Sequence, residues 1–144
     1  MATILKSAVL PATVDQVWKK IRDFNALPDW HPAIAASEIK NDEPSDKVCC
    51  VRRLRLKEAG EIREQLLTLS DVQHLCCYTI LESPLPLSDY IATLRLLPIT
   101  ESDQTYAEWS TTFNCKPEDE EFLTNLIGQG VFKKGFDSLK SILA

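Results

Sequence analysis

The sequence predicts an α+β fold in which a curved antiparallel sheet of seven strands wraps around one long C-terminal helix. Two observations carry this prediction. From about residue 35 to 115 the chain runs as short alternating segments parted by Asp, Ser, Pro and Gly turns, and only one face of each is clearly apolar. After Lys116-Pro117 the period changes to that of a helix, with Phe122, Leu123, Leu126, Ile127, Val131, Phe136, Leu139, Ile142 and Leu143 as its apolar set. A sheet with one apolar face and an amphipathic helix are each incomplete until one covers the other.

Residues 2–10 form the opening strand, which Pro11-Ala12 breaks. Thr13 followed by Gln16 is a capping box, and Val14, Val17, Trp18 and Ile21 make an apolar stripe that carries a helix to about Phe24. Asn25 to Pro32 holds too much proline for a continuous helix and reads as a short helical turn or loop. Strands follow at about 35–41, 47–57, 61–70, 73–82, 88–98 and 104–115. The last helix runs from about Glu118 to Leu143, with Glu118, Asp119, Glu120 and Glu121 in its first turn and Lys133, Lys134 and Lys140 further on, as the helix dipole favours. Gly128, Gly130 and Gly135 interrupt it at about 1 kcal/mol each relative to Ala, which indicates a bend, a close approach or simple packing.

The 144 residues, 44% of them hydrophobic, suit a single domain over 1–144 with no repeat, linker or low-complexity tract. Net charge is −5, and the basic residues cluster only at Arg52-Arg53-x-Arg55 and Lys133-Lys134, which argues against a nucleic-acid partner. No apolar run reaches the roughly 20 residues of a membrane span, and no basic region leads into a long apolar stretch at the N-terminus. The expectation is a cytoplasmic protein. The adjacent pairs Cys49-Cys50 and Cys76-Cys77 lack zinc-ligand spacing. On strands flanking a common neighbour they would lie about 9–10 Å apart, beyond the ~7 Å reach of a disulfide. They read as reduced, mostly buried thiols.

Strand parity places two charges on faces that should be dry. Cys50, Arg52, Leu54 and Leu56 share one side, and beyond the Lys57–Gly60 turn Ile62, Glu64 and Leu66 share one side. In a hairpin of this length Arg52 and Glu64 lie opposite or diagonal, roughly 5–8 Å apart. A charge on an apolar face is costly unless paired, so the two hold each other, either as a structural salt bridge or as the polar floor of a cavity. Parity adds Tyr78 with Ile80, Tyr90 with Ala92, and Trp109 with Phe113 to the same interior. Trp30 and His31 fall near the cavity mouth. A lone histidine before a proline reads as a loop hydrogen-bonder rather than a catalyst, and His74 as a solvated turn residue. The two histidines have no ligand spacing, and no phosphate loop, nucleophile elbow or dinucleotide fingerprint is present, so neither metal nor cofactor is expected.

Several motifs carry a family resemblance: Pro11-Ala12-Thr13 with Val17-Trp18, Leu27-Pro28 with Trp30-His31-Pro32, Val51-Arg52 with Glu64, and Asp89-Tyr90 with Glu108-Trp109-Ser110. In these the chain resembles the polyketide cyclase/dehydrase-like branch of the START-like (SRPBCC) superfamily. The resemblance covers nearly the whole chain and implies the helix-grip fold with a hydrophobic cavity between sheet and helix. Within the superfamily, Cys50-Val51-Arg52, Arg63-Glu64-Gln65-Leu66, Ser88 to Thr93 and Glu108-Trp109-Ser110 resemble motifs of the plant lachrymatory factor synthases. That likeness implies a catalytic pair at Arg52 and Glu64 and cavity aromatics at Tyr90 and Trp109. It departs at Ile127-Gly128-Gln129-Gly130-Val131, where those enzymes carry a tryptophan. The abscisic acid receptors are also similar in fold, and their gate and latch loops fall where Lys57–Gly60 and Glu82–Leu87 lie, although Pro84-Leu85-Pro86 is a stiff latch.

Three functional readings follow. The chain binds a small hydrophobic or amphipathic molecule above an Arg52/Glu64 floor, as carrier or sensor. Alternatively it is a cofactor-free cyclase, dehydratase or isomerase, with Glu64 as general acid/base and Arg52 and Tyr90 stabilising an oxyanion. The third reading is an interaction module that docks a protein through the loops around Trp30 and Pro84.

Overall fold

A computed structural model describes every residue of the chain except Ala59. The strands are β1 (Ala2–Leu10), β2 (Ile34–Ile39), β3 (Val51–Leu56), β4 (Glu61–Ser70), β5 (Leu75–Glu82), β6 (Ser88–Ile99) and β7 (Gln104–Asn114). Among the described residues they form one seven-stranded antiparallel sheet in the order β1-β7-β6-β5-β4-β3-β2. Helices α1 (Val14–Ile21) and α2 (Leu27–Trp30) lie between β1 and β2. The C-terminal helix is continuous but not uniform: α3 (Pro117–Asn125) passes into a π-helical segment (Leu126–Lys133) and then into α4 (Lys134–Leu143). The predicted α+β architecture, a sheet around a long terminal helix, is the one observed.

Alternation builds the inner face. Along β6, Tyr90, Ala92, Leu94 and Leu96 are buried, and along β7 so are Thr105, Ala107, Trp109, Thr111 and Phe113. The helix answers with Leu123, Ile127, Phe132, Phe136 and Leu139, all buried. Phe132 stacks on Trp109 with ring centroids 4.7 Å apart and planes 17° from parallel, fixing helix to sheet at its centre.

The expected Thr13 capping box closes the start of α1, with Thr13 N donating to Gln16 Oε1 at 3.1 Å. Element ends moved where the backbone turns left-handed. β3 begins at Val51 rather than 47, because Cys49 sits at φ 78°, and β5 begins at Leu75 rather than 73, because His74 sits at φ 53°. β2 ends at Ile39 in a 3-10 turn whose Asn41 has φ 60°. α1 stops at Ile21, short of Phe24, although Phe24 is buried. His74 is partly rather than fully solvated: its ring meets Trp18 edge-on at 5.6 Å while 20% of its side chain stays exposed.

Candidate functional site

The site begins with the β3–β4 register, which sets Arg52 directly opposite Glu64. Both side chains are buried, at 5% and 6% exposure. Arg52 Nε and Nη2 both donate to Glu64 Oε1, at 2.9 and 2.7 Å, and Nη1 donates to the Phe24 carbonyl at 2.7 Å. The guanidinium carbon lies 3.8 Å from the Phe24 ring centroid. All three nitrogens are therefore committed within the fold. Glu64 Oε2 has no such bond. Because no sealed side-chain polar atom among the described residues lacks a partner, Oε2 must open onto free space. Burial pushes the Glu64 carboxyl above its ordinary pKa, and the adjacent Arg52 only partly offsets this.

That free space is a cavity of about 460 Å³ between the sheet and the π-helical segment. Leu54, Leu56, Ile62 and Ile80 line it from the sheet, and Leu126, Ile127, Gly130 and Val131 from the helix. Below the rim, Glu64, Tyr78, Tyr90, Trp109 and His31 are the lining residues that carry polar groups. Trp109 Nε1 donates to Tyr78 Oη at 3.1 Å. Burial drives both phenols well above their ordinary pKa, so both hydroxyls stay neutral. Around Glu64 the wall is apolar apart from hydrogen-bonding groups that carry no charge.

His31 is fully built in. Ala33 N–H donates to Nδ1 at 3.2 Å, so the ring proton is on Nε2, which donates to the Val131 carbonyl at 2.8 Å. Burial, with help from the charges of Lys134 and Arg52, lowers its pKa and keeps the ring neutral. The Val131 carbonyl also accepts from Lys134 N–H, so His31 secures the seam between the π-helical segment and α4.

Glu64, Tyr78, Ile80, Tyr90, Trp109 and His31 thus line one cavity. Arg52, Trp30, Ala92 and Phe113 do not form its wall. Arg52 lies behind Glu64, Trp30 packs on Trp109 at 5.8 Å, and Phe113 backs Tyr90 at 6.2 Å, with Ala92 wholly buried. The burial of Trp30 also withdraws it from any docking surface. The resemblance puts the cavity between sheet and helix, with loops at Lys57–Gly60 and Glu82–Leu87 beside it; what sequence reasoning missed is which helix residues line the wall, and Lys134, which joins Lys57, Glu58, Pro84 and Leu85 around the opening. Parity cannot locate loop residues, but the glycines at 128, 130 and 135 were a usable signal of a helix pressed against something. Among the described residues no three His, Cys, Asp or Glu side chains gather as metal ligands, and Cys49, Cys50, Cys76, Cys77 and Cys115 are free thiols.

A sequence family described as polyketide cyclase / dehydrase and lipid transport matches residues 1–144. No curated protein sequence matches the chain. The chain is similar to the solved structure of the protein XoxI from Bacillus cereus, with 30% identity, TM-score 0.88, and coverage of 99% of this chain and 96% of that one. Two more distant structures share the fold. One is a START superfamily protein from Mycobacterium smegmatis, at 14% identity and TM-score 0.80 over 98% of this chain and 96% of that one. The other is a Thalictrum flavum norcoclaurine synthase point mutant in complex with a transition-state analogue, at 20% identity and TM-score 0.75 over 99% and 93%. Family and fold together describe a domain that binds hydrophobic ligands. The chain belongs to the polyketide cyclase/dehydrase and lipid transport family.

Proposed function

We propose that this domain binds a small hydrophobic or amphipathic molecule with its chain along the apolar wall and one uncharged polar group against Glu64. The observation that carries this reading is the unbonded Oε2 of Glu64 at the floor of a mostly apolar cavity. A carboxyl in that position serves as donor or acceptor according to its protonation, and gives a ligand its orientation. The five free thiols support placing the protein in a reducing compartment, the cytoplasm. Native mass spectrometry of the protein from its own host, before and after denaturing extraction, tests the reading. A retained small molecule is expected. An empty protein that also takes up no aliphatic probe would overturn it.

A second reading, cofactor-free cyclisation, dehydration or isomerisation, is favoured by the raised pKa of Glu64 beside two neutral phenols. Glu64 Oε2 would take a proton from the carbon next to a ligand carbonyl. The C–H electrons become a C=C bond and the carbonyl electrons move to oxygen, where Tyr78 or Tyr90 donates a hydrogen bond. Arg52, with its nitrogens committed, acts only through Glu64 Oε1 as a positioning residue. With 2-dodecanone in deuterated water, the wild type should exchange the protons next to the carbonyl. Glu64→Gln should bind the ketone equally while losing roughly a hundredfold or more of the exchange rate. Equal exchange by both proteins would rule out the catalytic reading and leave binding intact.

A further inference from the structure

We propose that the ligand is a carboxylate-terminated amphiphile whose anionic end rests on Lys57 and Lys134 at the cavity rim, while its uncharged polar group reaches Glu64. This rests on the binding reading above and names the class of molecule. Both lysines border the opening and are exposed, and among the described residues neither forms a salt bridge. The neighbouring Lys133 is held by Asp137 at 2.7 Å, which leaves the rim cations as those with unspent charge. Glu58 shares the rim, so the opening carries two positive charges and one negative.

The interior excludes the opposite orientation. An anion at the floor would meet the Glu64 carboxyl, and Arg52, the one buried cation among the described residues, has its nitrogens on Glu64 and Phe24. A ligand carboxylate buried there would lack a partner. Between floor and rim the wall is an apolar shaft of Leu54, Leu56 and Ile62. Arg52 faces Glu64, and Lys57 lies five residues further on, just past the end of β3, so the shaft spans about 16 Å at strand rise. A molecule of that length places a carboxylate at the rim and its far end at Oε2.

Calorimetry with dodecanoate, methyl dodecanoate and dodecanol, each below its aggregation concentration and at low salt, tests this. The wild type should bind the acid about fivefold to tenfold more tightly than the ester or the alcohol, as two partly screened ion pairs allow. The preference should shrink as salt is added. Lys57→Gln with Lys134→Gln should abolish it while leaving ester affinity unchanged. Equal affinity for all three probes, or an acid preference that survives the double substitution, would overturn the inference with the binding reading intact. Failure of all three to bind would remove both.

Discussion

Glu64 is gripped through one oxygen and offers the other, and that division depends on Arg52. Removing the guanidinium would strand a buried carboxyl, and breaking such a pair costs about 3–5 kcal/mol. Arg52→Ala should therefore lower the unfolding free energy by that order in urea titration, while Arg52→Met with Glu64→Leu should recover most of it. The pH dependence has a defined sign. The raised pKa means that folded Glu64 holds its proton more tightly than the unfolded chain does, whose ordinary value is 4.5. Its contribution to stability is full below 4.5 and is lost as pH rises through the folded value. The unfolding free energy of wild type minus that of Glu64→Gln should fall over that interval; a flat difference would show that Arg52 cancels the burial effect. At this scale the sequence was legible because strand parity is strict, and Arg52 and Glu64 declared themselves by breaking it. Parity could not reveal that Arg52 would turn aside onto Phe24, a contact between β3 and the segment after α1.

Among the elements, the C-terminal helix was legible in extent and illegible in kind. The apolar spacing from Phe122 to Leu143 located it, yet periodicity alone does not distinguish an α-helix from one with a π-helical segment. The glycines separate by what surrounds them. A Cβ at Gly135 would lie 2.9 Å from Trp109, 3.0 Å from His31 and 3.2 Å from Trp30, all ring atoms, whereas at Gly130 the nearest atom is the end of Leu126 at 3.6 Å. Gly135→Ala should therefore destabilise by about 1–3 kcal/mol through overpacking, despite the ~1 kcal/mol that alanine gains in a helix. Gly130→Ala should be neutral or stabilising by up to about 1 kcal/mol. Thermal melts of the two variants side by side decide the matter, and equal shifts would contradict it. The loop ends were less legible, since Cys49 and His74 adopt positive φ, which few non-glycine residues do and which neither residue signals in the sequence.

For the whole molecule, the sheet and the helix together exclude water from the interior thiols. Burial pushes the Cys76 thiol up to about 12, and Cys50 is raised in the same direction, while Cys49 is exposed. Iodoacetamide at neutral pH should modify Cys49 and spare Cys50 and Cys76 until the protein is denatured, as peptide mass mapping would show. Labelling of Cys76 in the native protein would mean that the sheet opens. The global arrangement was legible because every strand has one apolar face and the terminal helix has a matching stripe. The cavity was less so, because an absence of atoms depends on how far helix and sheet stand apart, which no single residue encodes. The π-helical segment gives the chain one tolerance in length here. A π turn takes up one extra residue without changing the phase of the helix that follows, so deleting one residue between Leu126 and Lys133 would let the segment relax to ordinary α geometry with Phe136 and Leu139 still on the sheet. Substitutions reshape this wall one side chain at a time, whereas a single-codon deletion there would close the bulge and move the ligand wall while leaving the core beyond it in register.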